Sequence, residues 1–478
     1  MKVRRASGLD SQQVGATRSV ASAAGRERSH YLRFGLVALV AAFLLSAGCK
    51  QPAPPWTGPV SIVLLSIDTL RPDHLGCYGY ARPTSPRIDA LAREAVLFEQ
   101  ARTSVPWTTA SHMTMLTSLE PDVHKVTHTA LSETHSTGPE QLAKAGYATG
   151  AFVNATALDR RFGFTRGFDV YQYVDRQTGA AVVNRKALDW LATVKDRPFF
   201  LFVHYYVVHN PYDPPTEFRA PFVKDFRPED VARTGIGPYH PPVSFSDAER
   251  RAMIDLYDGG VRYGDDSAGR LLDGLKHLGV LDRTAVFVTS DHGEGFGEHG
   301  LYNHGNSLYE ELLHVPLLVR LPGGRDGGKR VTEPVGHVDL LPTFLDLAGI
   351  PLAPSLMGRS LRPLLDGKPI PARPIWADGT GSQALIDGRL KLIVNGEGRA
   401  AKIPGWKNLG PVELYDLAED PGERSNLAEA RPADAARLRE RVEALRTDHR
   451  VLAQAVATSH SELPDDVRER LKALGYLE

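Results

Sequence analysis

The sequence of 478 residues is poor in cysteine, in net charge and in long apolar runs. It has two cysteines, Cys49 and Cys77. Cys49 is a predicted lipidation site, described below, which leaves Cys77 as the one thiol of the mature chain, so no disulfide is expected within it. Lys and Arg total 56 against 57 Asp and Glu, so there is no basic excess to attract nucleic acid. With 42% hydrophobic residues the chain is globular and long enough for one large domain and a smaller one.

The one long apolar run, Phe34–Gly48, follows a basic segment and ends at Cys49. Its 15 residues are short for a bilayer span, and Leu45-Ser-Ala-Gly-Cys49 resembles a bacterial lipobox. We therefore predict a signal peptide over residues 1–48, lipidation of Cys49 and a proline-rich tether over residues 49–59. The alternative is an uncleaved anchor, and both predict an extracytoplasmic protein held at the membrane, in the periplasm or at the cell surface.

Two further apolar runs end at acidic residues. Ser61–Ile67 predicts a buried strand followed by Asp68, and Thr284–Ser290 predicts another one followed by Asp291 and His292. The carboxyl ends of parallel strands meet at one edge of a sheet, so these side chains are expected to lie close together. Carboxylates and an imidazole are typical donors to a divalent metal ion.

A hydroxyl side chain follows the loop that Pro106 closes. Residues 109–118 have the spacing of apolar side chains that a helix requires, which places Thr108 at a helix N-terminus. Unpaired backbone N–H groups and partial positive charge at such an end favour attack by a nucleophile on an anionic ester. The alternative is that Thr108 only caps the helix.

The order of these segments resembles the sulfatase family within the alkaline phosphatase superfamily. The strand with Asp68 comes first, then Thr108-Thr-Ala-Ser-His112, then Ser290-Asp-His-Gly-Glu294. Further matches in the same order extend the resemblance from about residue 60 to the C-terminus, and they are Leu75-Gly-Cys-Tyr-Gly79, His209-Asn-Pro-Tyr-Asp-Pro-Pro215, His337-Val-Asp-Leu-Leu-Pro-Thr343, Gly358-Arg-Ser-Leu361 and Leu414-Tyr-Asp-Leu-Ala-Glu-Asp-Pro-Gly-Glu423.

The resemblance implies a metal-dependent ester hydrolase. Asp68, Asp291 and His292 are the implied ligands of one divalent metal ion, completed by the oxygen of Thr108, which would attack as an alkoxide and form a covalent intermediate. Typical members carry a cysteine matured to formylglycine at the position of Thr108 and a second acid at that of Thr69. No formylglycine is therefore expected, and the nitrogen ligand favours Mn²⁺ or Zn²⁺ over Ca²⁺.

The resemblance also implies further site residues. His209 is the expected general acid or oxyanion contact, with packing on Tyr212 as its alternative role. His112 and His304 are weaker candidates for binding the non-bridging oxygens of the ester. Asn154 is a candidate to replace a basic group that the family carries near this position.

The class of ester stays open. The family implies hydrolysis of sulfuric esters, but a sulfated threonine would have to be cleaved by attack at sulfur, whereas a phosphorylated threonine is resolved by in-line displacement beside a metal ion. Phosphomonoester or phosphodiester hydrolysis, or phosphoryl transfer, is therefore the alternative. A third hypothesis is a non-catalytic protein that binds glycans or lipids. The expected partner is an anionic glycan, lipid or small molecule.

Strands that alternate with helices predict a doubly wound, mostly parallel α/β sheet flanked by helices over residues 60–369, of the alkaline phosphatase and sulfatase type. Short strands followed by a charged helix predict a smaller C-terminal α+β subdomain over residues 370–478. Residues 210–245 predict an irregular loop that shapes the substrate site. The other expected elements are helices at 86–98, 247–278, 433–452 and 465–474, and strands at 147–153, 197–206, 374–378, 383–387, 389–394 and 412–417.

Replacing Cys49 by serine removes the thiol that would carry the lipid. We expect Cys49→Ser to move from the membrane pellet to the soluble extracytoplasmic fraction, because a lipid chain is then missing from its N-terminus. Cys77→Ser is the matched control and should stay in the pellet. If Cys49→Ser also sediments with membranes, the apolar run is an uncleaved anchor.

Overall fold

The computed structural model describes residues 58–126, 129–235, 245–379, 381–396 and 410–455. The predicted signal peptide, Cys49, nearly all of the tether and the helix expected at 465–474 lie outside these ranges. Within them, no helix has both the length and the apolar character needed to cross a membrane.

A large sheet forms the centre of the described chain. The strands are β1 Ser61–Ile67, β2 Val96–Phe98, β3 Ala101–Arg102, β4 Ala148–Val153, β5 Val170–Tyr173, β6 Phe199–Tyr205, β7 Thr284–Thr289, β8 Gly295–Phe296, β9 Tyr302–Asn303, β10 Leu317–Arg320, β11 Arg330–Val331, β12 Val335–Gly336, β13 Ile375–Gly379, β14 Ser382–Asp387, β15 Leu390–Asn395 and β16 Val412–Asp416. Eight of them form one sheet in the order β11-β2-β10-β7-β1-β6-β4-β5. β1 runs parallel to both β6 and β7, and β4 and β5 continue this direction, whereas β10 is antiparallel.

Helices cover both faces of this sheet, which confirms the predicted doubly wound α/β fold. They are α1 Pro86–Ala92, α2 Thr108–Thr117, α3 Pro121–His124, α4 Gly138–Lys144, α5 Gly179–Val194, α6 Thr216–Arg219, α7 Pro228–Thr234, α8 Asp247–His277, α9 Glu310–Leu313, α10 Leu340–Leu347, α11 Arg362–Leu365 and α12 Pro432–Ala455. The long helix α8 begins at a capping box, in which Ser246 and Glu249 satisfy each other's backbone N–H groups.

Side-chain alternation along the central strands divides the core into two clusters. Leu64, Phe202 and Phe287 belong to the first cluster, on the face that α2 covers. Leu65 and Val203, one residue further along their strands, belong to the second cluster, on the face that α8 covers. Because the side-chain period of a strand is two, this pattern also decides which face the residues at the strand ends take.

The structure corrects the helix predicted over residues 86–98. Helix α1 ends at Ala92, and residues 96–98 form β2 instead. Val96 and Phe98 are fully buried in the first core cluster and pair with β10. Pairing with a neighbouring strand and burial of these large side chains therefore outweigh the helical spacing of the segment.

The segment over residues 210–245, predicted as an irregular loop, contains the two short helices α6 and α7. Residues 236–244 of this segment lie outside the described ranges.

A second, antiparallel sheet of β13-β14-β15-β16 follows the main α/β domain, and the predicted boundary at residue 370 falls between α11 and β13. Helix α12 packs on this sheet through Leu438 and Val442, which are fully buried. The sheet also reaches the main domain through a buried ion pair. Nζ of Lys391 lies 3.0 Å from the carboxylate of Glu310 in α9.

The end of α12 is tied to α3 by His449, whose Nδ1 lies 2.8 Å from the carboxylate of Asp122. Burial disfavours the charged ring, but the hydrogen bond to Asp122 and the negative charges of Asp122, Glu120 and Asp378 together outweigh it and raise the pKa of His449 above 6.5. The protonated pair therefore stabilises the folded state below the unfolded pKa, and this stability is lost as the pH rises through the folded pKa.

We expect His449→Gln to lower the free energy of unfolding at pH 6 by about 1–2 kcal/mol, as for a hydrogen bond to a charged group. The difference from wild type should shrink at pH 9, and urea unfolding at the two pH values measures it. His277→Gln, at an exposed position near the end of α8, is the control and should show no such pH dependence. An equal loss at both pH values would contradict the charged pair.

Candidate active site

The C-terminal ends of three neighbouring strands converge on one face of the sheet. Ser66 of β1 pairs in register with His204 of β6 and with Thr289 of β7. Asp68 and Asp291 follow two residues after Ser66 and Thr289, so strand alternation directs them to the same face. All five residues are fully buried. This is the face on which α2 packs, so the strand ends meet the first turn of that helix.

Thr108 is the first residue of α2. Trp107 occupies the N-cap position and makes no side-chain capping bond, so Thr108 is not the cap. Its hydroxyl oxygen lies 3.4 Å from Nε2 of His292. The hydroxyl therefore lies at a helix N-terminus, next to a side chain that the sequence predicts as a metal ligand.

Two buried carboxylates at this position leave three of their four oxygens without a hydrogen-bond partner among the described residues. Among the described residues, neither oxygen of Asp68 and not Oδ2 of Asp291 has one. Oδ1 of Asp291, in contrast, accepts hydrogen bonds from the backbone N–H of Thr69 at 3.1 Å and of His292 at 2.9 Å. Unpaired carboxylate oxygens are costly in a dry interior unless a cation compensates their charge.

Burial and the neighbouring charges drive the pKa values of Asp68 and Asp291 apart. Burial, and then the charge of Asp291, raises the pKa of Asp68 well above its usual value. Burial also opposes ionisation of Asp291, but the imidazoles of His292, His112 and His204 and the hydrogen bond from the Thr69 N–H together outweigh it and hold the pKa of that carboxyl below its usual range. Two acids this close do not both ionise unless positive charge is added.

The tautomer of His292 is fixed by a backbone carbonyl. Its Nδ1 donates a hydrogen bond to the carbonyl oxygen of Gly293 at 2.9 Å, because a carbonyl can only accept. The Nε2 lone pair therefore points to the side of Thr108 and of Asp291, whose Oδ2 lies 3.4 Å away. This orientation is typical of a metal-binding histidine, which donates its other ring N–H to a carbonyl or carboxylate.

The spacing of these atoms fits a shared metal ion. One donor atom each from Asp68, Asp291 and His292 lie within 4.8 Å of one another. Two ligands bound at about 2.0–2.1 Å in a tetrahedral arrangement are roughly 3.3 Å apart. The separation of His292 Nε2 is 3.4 Å both from Thr108 Oγ1 and from Asp291 Oδ2. The structure thus brings the four predicted ligands together.

A row of imidazole rings leads from His292 to the predicted catalytic histidine. The ring centroid of His304 lies 4.5 Å from that of His292 and 4.7 Å from that of His209. His209 stacks on Tyr206 and donates a hydrogen bond from Nδ1 to the carbonyl of Asn210 at 2.6 Å. Burial, and then His304, lowers the pKa of His209 well below 6.5, so the ring of the free protein is neutral and presents Nε2 as an acceptor.

Glu294 orients this row, although the sequence analysis gave it no role. Its Oε1 lies 2.9 Å from Nδ1 of His304, and its Oε2 accepts a hydrogen bond from the hydroxyl of Tyr212 at 2.7 Å. A buried carboxylate on one ring nitrogen fixes which atom His304 turns towards the site.

The two remaining predicted substrate-binding residues lie in different surroundings. Nδ1 of His112 donates to the carbonyl of Thr108 at 2.8 Å, and Nε2 accepts from the hydroxyl of Ser66 at 2.9 Å. Burial lowers the pKa of His112 to about 3, so the ring is neutral and joins α2 to β1. Asn154 accepts from the backbone N–H of Tyr206, and its buried Nδ2 has no partner among the described residues, so its donor is available to a ligand.

His204 is a residue of this site that the sequence analysis missed. It was counted as part of a buried strand, yet it is the last residue of β6 on the face of Asp68 and its Nε2 lies 3.3 Å from Asp68 Oδ2. The signal for it was the alternation of Phe200, Phe202 and His204, which places a histidine one step beyond two core side chains.

Comparison with known proteins identifies the family. The family model described as Sulfatase matches residues 61–350, more than half of the chain. The chain belongs to the sulfatase family. It is 26% identical to an arylsulfatase of Clostridium perfringens over 447 residues, covering 77% of this chain and 90% of the relative. It is 27% identical to human (Homo sapiens) iduronate 2-sulfatase over 418 residues, covering 68% and 74%.

Solved structures share the fold of this sulfatase-family chain. The phosphonate monoester hydrolase of Agrobacterium radiobacter matches with a TM-score of 0.67 at 22% identity, over 82% of this chain and 96% of that one. BT4656, solved in complex with its substrate D-glucosamine-2-N,6-O-disulfate, matches with a TM-score of 0.67 at 19% identity, over 82% and 99%. The predicted family, fold and enzyme class, a sulfatase-like hydrolase of sulfuric or phosphoric esters, are confirmed.

Replacing Asp68 by asparagine tests the cost of the unpaired carboxylates in this sulfatase-family site. Since the folded pKa of Asp68 is raised, its carboxyl opposes folding once the pH exceeds the unfolded pKa. We expect metal-free Asp68→Asn to be more stable than metal-free wild type at pH 8 by at least about 1 kcal/mol, because the amide removes the buried charge although it leaves polar atoms unpaired. The gain should vanish near pH 4, and urea unfolding in the presence of a chelator measures it.

Asp258→Asn is the matched control, because the buried carboxylate of Asp258 has partners in His74 and Tyr80. That variant should be less stable than wild type. If Asp68→Asn were destabilised in the same way without metal, Asp68 would be a paired structural acid and the metal hypothesis would lose its support.

Proposed function

We propose that this chain hydrolyses anionic esters, in the first place sulfuric esters, through a covalent intermediate on Thr108 and with one divalent metal ion. Asp68, Asp291, His292 and the oxygen of Thr108 would hold this ion. One observation carries the proposal. The Thr108 hydroxyl lies at the N-terminus of α2, 3.4 Å from Nε2 of His292 and beside buried carboxylate oxygens that lack partners.

These residues divide the chemistry of the first step. A bound metal ion supplies Lewis acidity, which lowers the pKa of the Thr108 hydroxyl and offsets charge on the ester. Oγ1 of Thr108, whose proton passes to solvent, would form a bond to the central sulfur or phosphorus as the bond to the leaving oxygen breaks. The N–H groups in the first turn of α2 add positive potential at the nucleophile. The departing alcohol oxygen takes up a proton.

His209 and His304 serve the proton transfers of the two steps. The neutral His209 of the free protein presents an acceptor at Nε2, and an anionic ester bound beside it favours the protonated ring. Protonated His209 can then give a proton to the leaving oxygen and take one back from the water that cleaves the ester of Thr108. Water attacks the central atom, the bond to Oγ1 breaks, and Thr108 regains its proton.

A second candidate, cleavage of phosphoric esters or phosphoryl transfer, is favoured by the nucleophile itself. Threonine cannot become formylglycine, so a sulfate bound to Thr108 leaves only by attack at sulfur. A phosphate bound to Thr108 leaves by in-line displacement, the step that a metal ion and oriented donors assist most directly. The fold likeness to a phosphonate monoester hydrolase is compatible with either ester.

We also propose Mn²⁺ or Zn²⁺ as the metal ion, because an imidazole nitrogen suits these ions better than Ca²⁺. The lipid anchor on Cys49 would place the enzyme outside the cytoplasm, facing anionic glycans, lipids or small molecules.

The deciding experiment measures hydrolysis of 4-nitrophenyl sulfate, 4-nitrophenyl phosphate and bis-4-nitrophenyl phosphate by residues 50–478, with Mn²⁺ and with Zn²⁺. We expect turnover of at least one ester and its loss by at least about 10³-fold in Thr108→Ala, as for removal of a nucleophile. The metal content of this variant should stay unchanged, because Asp68, Asp291 and His292 remain.

Thr109→Ala is the matched control. Thr109 is the next residue of the same helix, and its hydroxyl donates a hydrogen bond to the carbonyl of Ala157 at 3.0 Å. This variant should keep its turnover. Persistent activity in Thr108→Ala would refute the nucleophile assignment, and no activity on all three esters in metal-loaded wild type would favour the non-catalytic binding protein.

A further inference from the structure

His204 is a fully buried histidine with no hydrogen-bond partner on either ring nitrogen among the described residues. A neutral imidazole carries one N–H donor and one acceptor, and each buried group left unpaired costs about 1–3 kcal/mol. Other buried histidines of this site, such as His112 and His292, use their ring nitrogens in hydrogen bonds. The position of His204 therefore suits a bound group that accepts a nitrogen lone pair.

The neighbours of His204 make that group a cation. Its Nε2 lies 3.3 Å from Oδ2 of Asp68, but without the geometry of a hydrogen bond. A donor atom of His204 also lies within 4.8 Å of a carboxylate oxygen of Asp291. The separation of 3.3 Å from His204 to Asp68 is close to the 3.4 Å from His292 to Asp291, so both pairs are near enough to bind one ion.

We infer that His204 is a further protein ligand of the metal ion held by Asp68, Asp291, His292 and Thr108. This inference rests on the metal centre of the proposed function and extends its ligand set. A ligand from β6 also explains how the site manages with Thr69 where typical family members have a second acid.

A second metal ion is the alternative, because donor atoms of His112, His204 and Asp291 also lie within 4.8 Å of one another. The hydrogen bonds of His112 oppose it. Its Nδ1 gives its proton to the carbonyl of Thr108, and its Nε2 lone pair accepts the hydroxyl proton of Ser66. His112 thus has no lone pair left for an ion, which leaves the carboxylate of Asp68, 3.3 Å away, as the donor that His204 would share an ion with.

The ligand has a consequence for metal choice. Two imidazole nitrogens, two carboxylates and a hydroxyl suit Zn²⁺ or Mn²⁺, whereas Ca²⁺ prefers a larger set of oxygen ligands. A neutral nitrogen in place of an acid also leaves the site one negative charge short of the usual family pattern. With His204 as a ligand, the site therefore favours Zn²⁺ or Mn²⁺ over Ca²⁺ more strongly than with His292 alone.

The first test measures Zn²⁺ affinity by chelator competition, and the visible absorption of the Co²⁺-loaded protein, in wild type and in His204→Ala. Losing a hydrogen-bond partner of a ligand costs roughly 10- to 100-fold in metal affinity, so losing a ligand should cost more than about 100-fold and change the Co²⁺ spectrum. His124→Ala, another fully buried histidine, which bonds to Thr114 in α2, is the control and should keep both readouts.

A second variant keeps the test independent of any loss of folding. His204→Asp replaces the nitrogen by a carboxylate, so the ratio of Ca²⁺ to Zn²⁺ affinity should rise at least about tenfold. An unchanged ratio would overturn the assignment. A loss of less than 100-fold in His204→Ala with an unaltered Co²⁺ spectrum would also overturn it, since His204 would then only position Asp68.

Asp291→Asn separates this inference from the proposed function. If Asp291→Asn leaves Zn²⁺ affinity unchanged, the metal centre itself is refuted. If Asp291→Asn loses the metal while His204→Ala retains it, only the assignment of His204 fails.

Discussion

Two carboxylates buried together, with three of their four oxygens unpaired among the described residues, are the constraint on which this site depends. Asp68 and Asp291 lie at the ends of β1 and β7, and their pKa values are driven apart because a dry interior does not hold both charges. A protein that keeps such a pair gives up stability in its metal-free state. The arrangement makes physical sense as a cation site, in which the same unpaired oxygens become ligands.

The surrounding fold holds these oxygens where they cannot relax. Thr69, just after β1, has a φ of 55°, a left-handed conformation that is costly for a β-branched residue. Its N–H donates to Asp291, and its carbonyl accepts a hydrogen bond from the hydroxyl of Tyr257 at 2.7 Å. Tyr257 belongs to α8, so the helix on the opposite face of the sheet fixes the turn that carries Asp68. Elements that are far apart in the sequence, β1 and α8, thus hold Asp68 and Asp291 in position together.

The sequence predicts a site residue or a strand when the pattern that marks it is local, and misses it when the pattern depends on pairing between strands. Asp68, Asp291 and Thr108 stand next to clear apolar runs, and strand ends and helix starts are well marked in sequence. His204 lies inside such a run, and only the pairing of β6 with β1 shows that it shares a face with Asp68. The strand at residues 96–98 was hidden likewise, because its partner β10 is more than 200 residues away. Contacts across the sheet carry the information that local spacing lacks.

The row of imidazoles gives the site a direction. In-line displacement needs the entering and leaving oxygens on opposite sides of the central atom, so the group that handles the leaving oxygen must stand away from the nucleophile. His292 is beside Thr108, the ring of His304 lies tilted against that of His292, and His209 follows His304. Two ring contacts thus separate His209 from Thr108. With Nδ1 committed to the carbonyl of Asn210, only Nε2 of His209 can exchange protons with the leaving oxygen or with water. In the mechanism we propose, the same ring would serve the formation and the hydrolysis of an ester on Thr108 without competing with the proposed metal ligands.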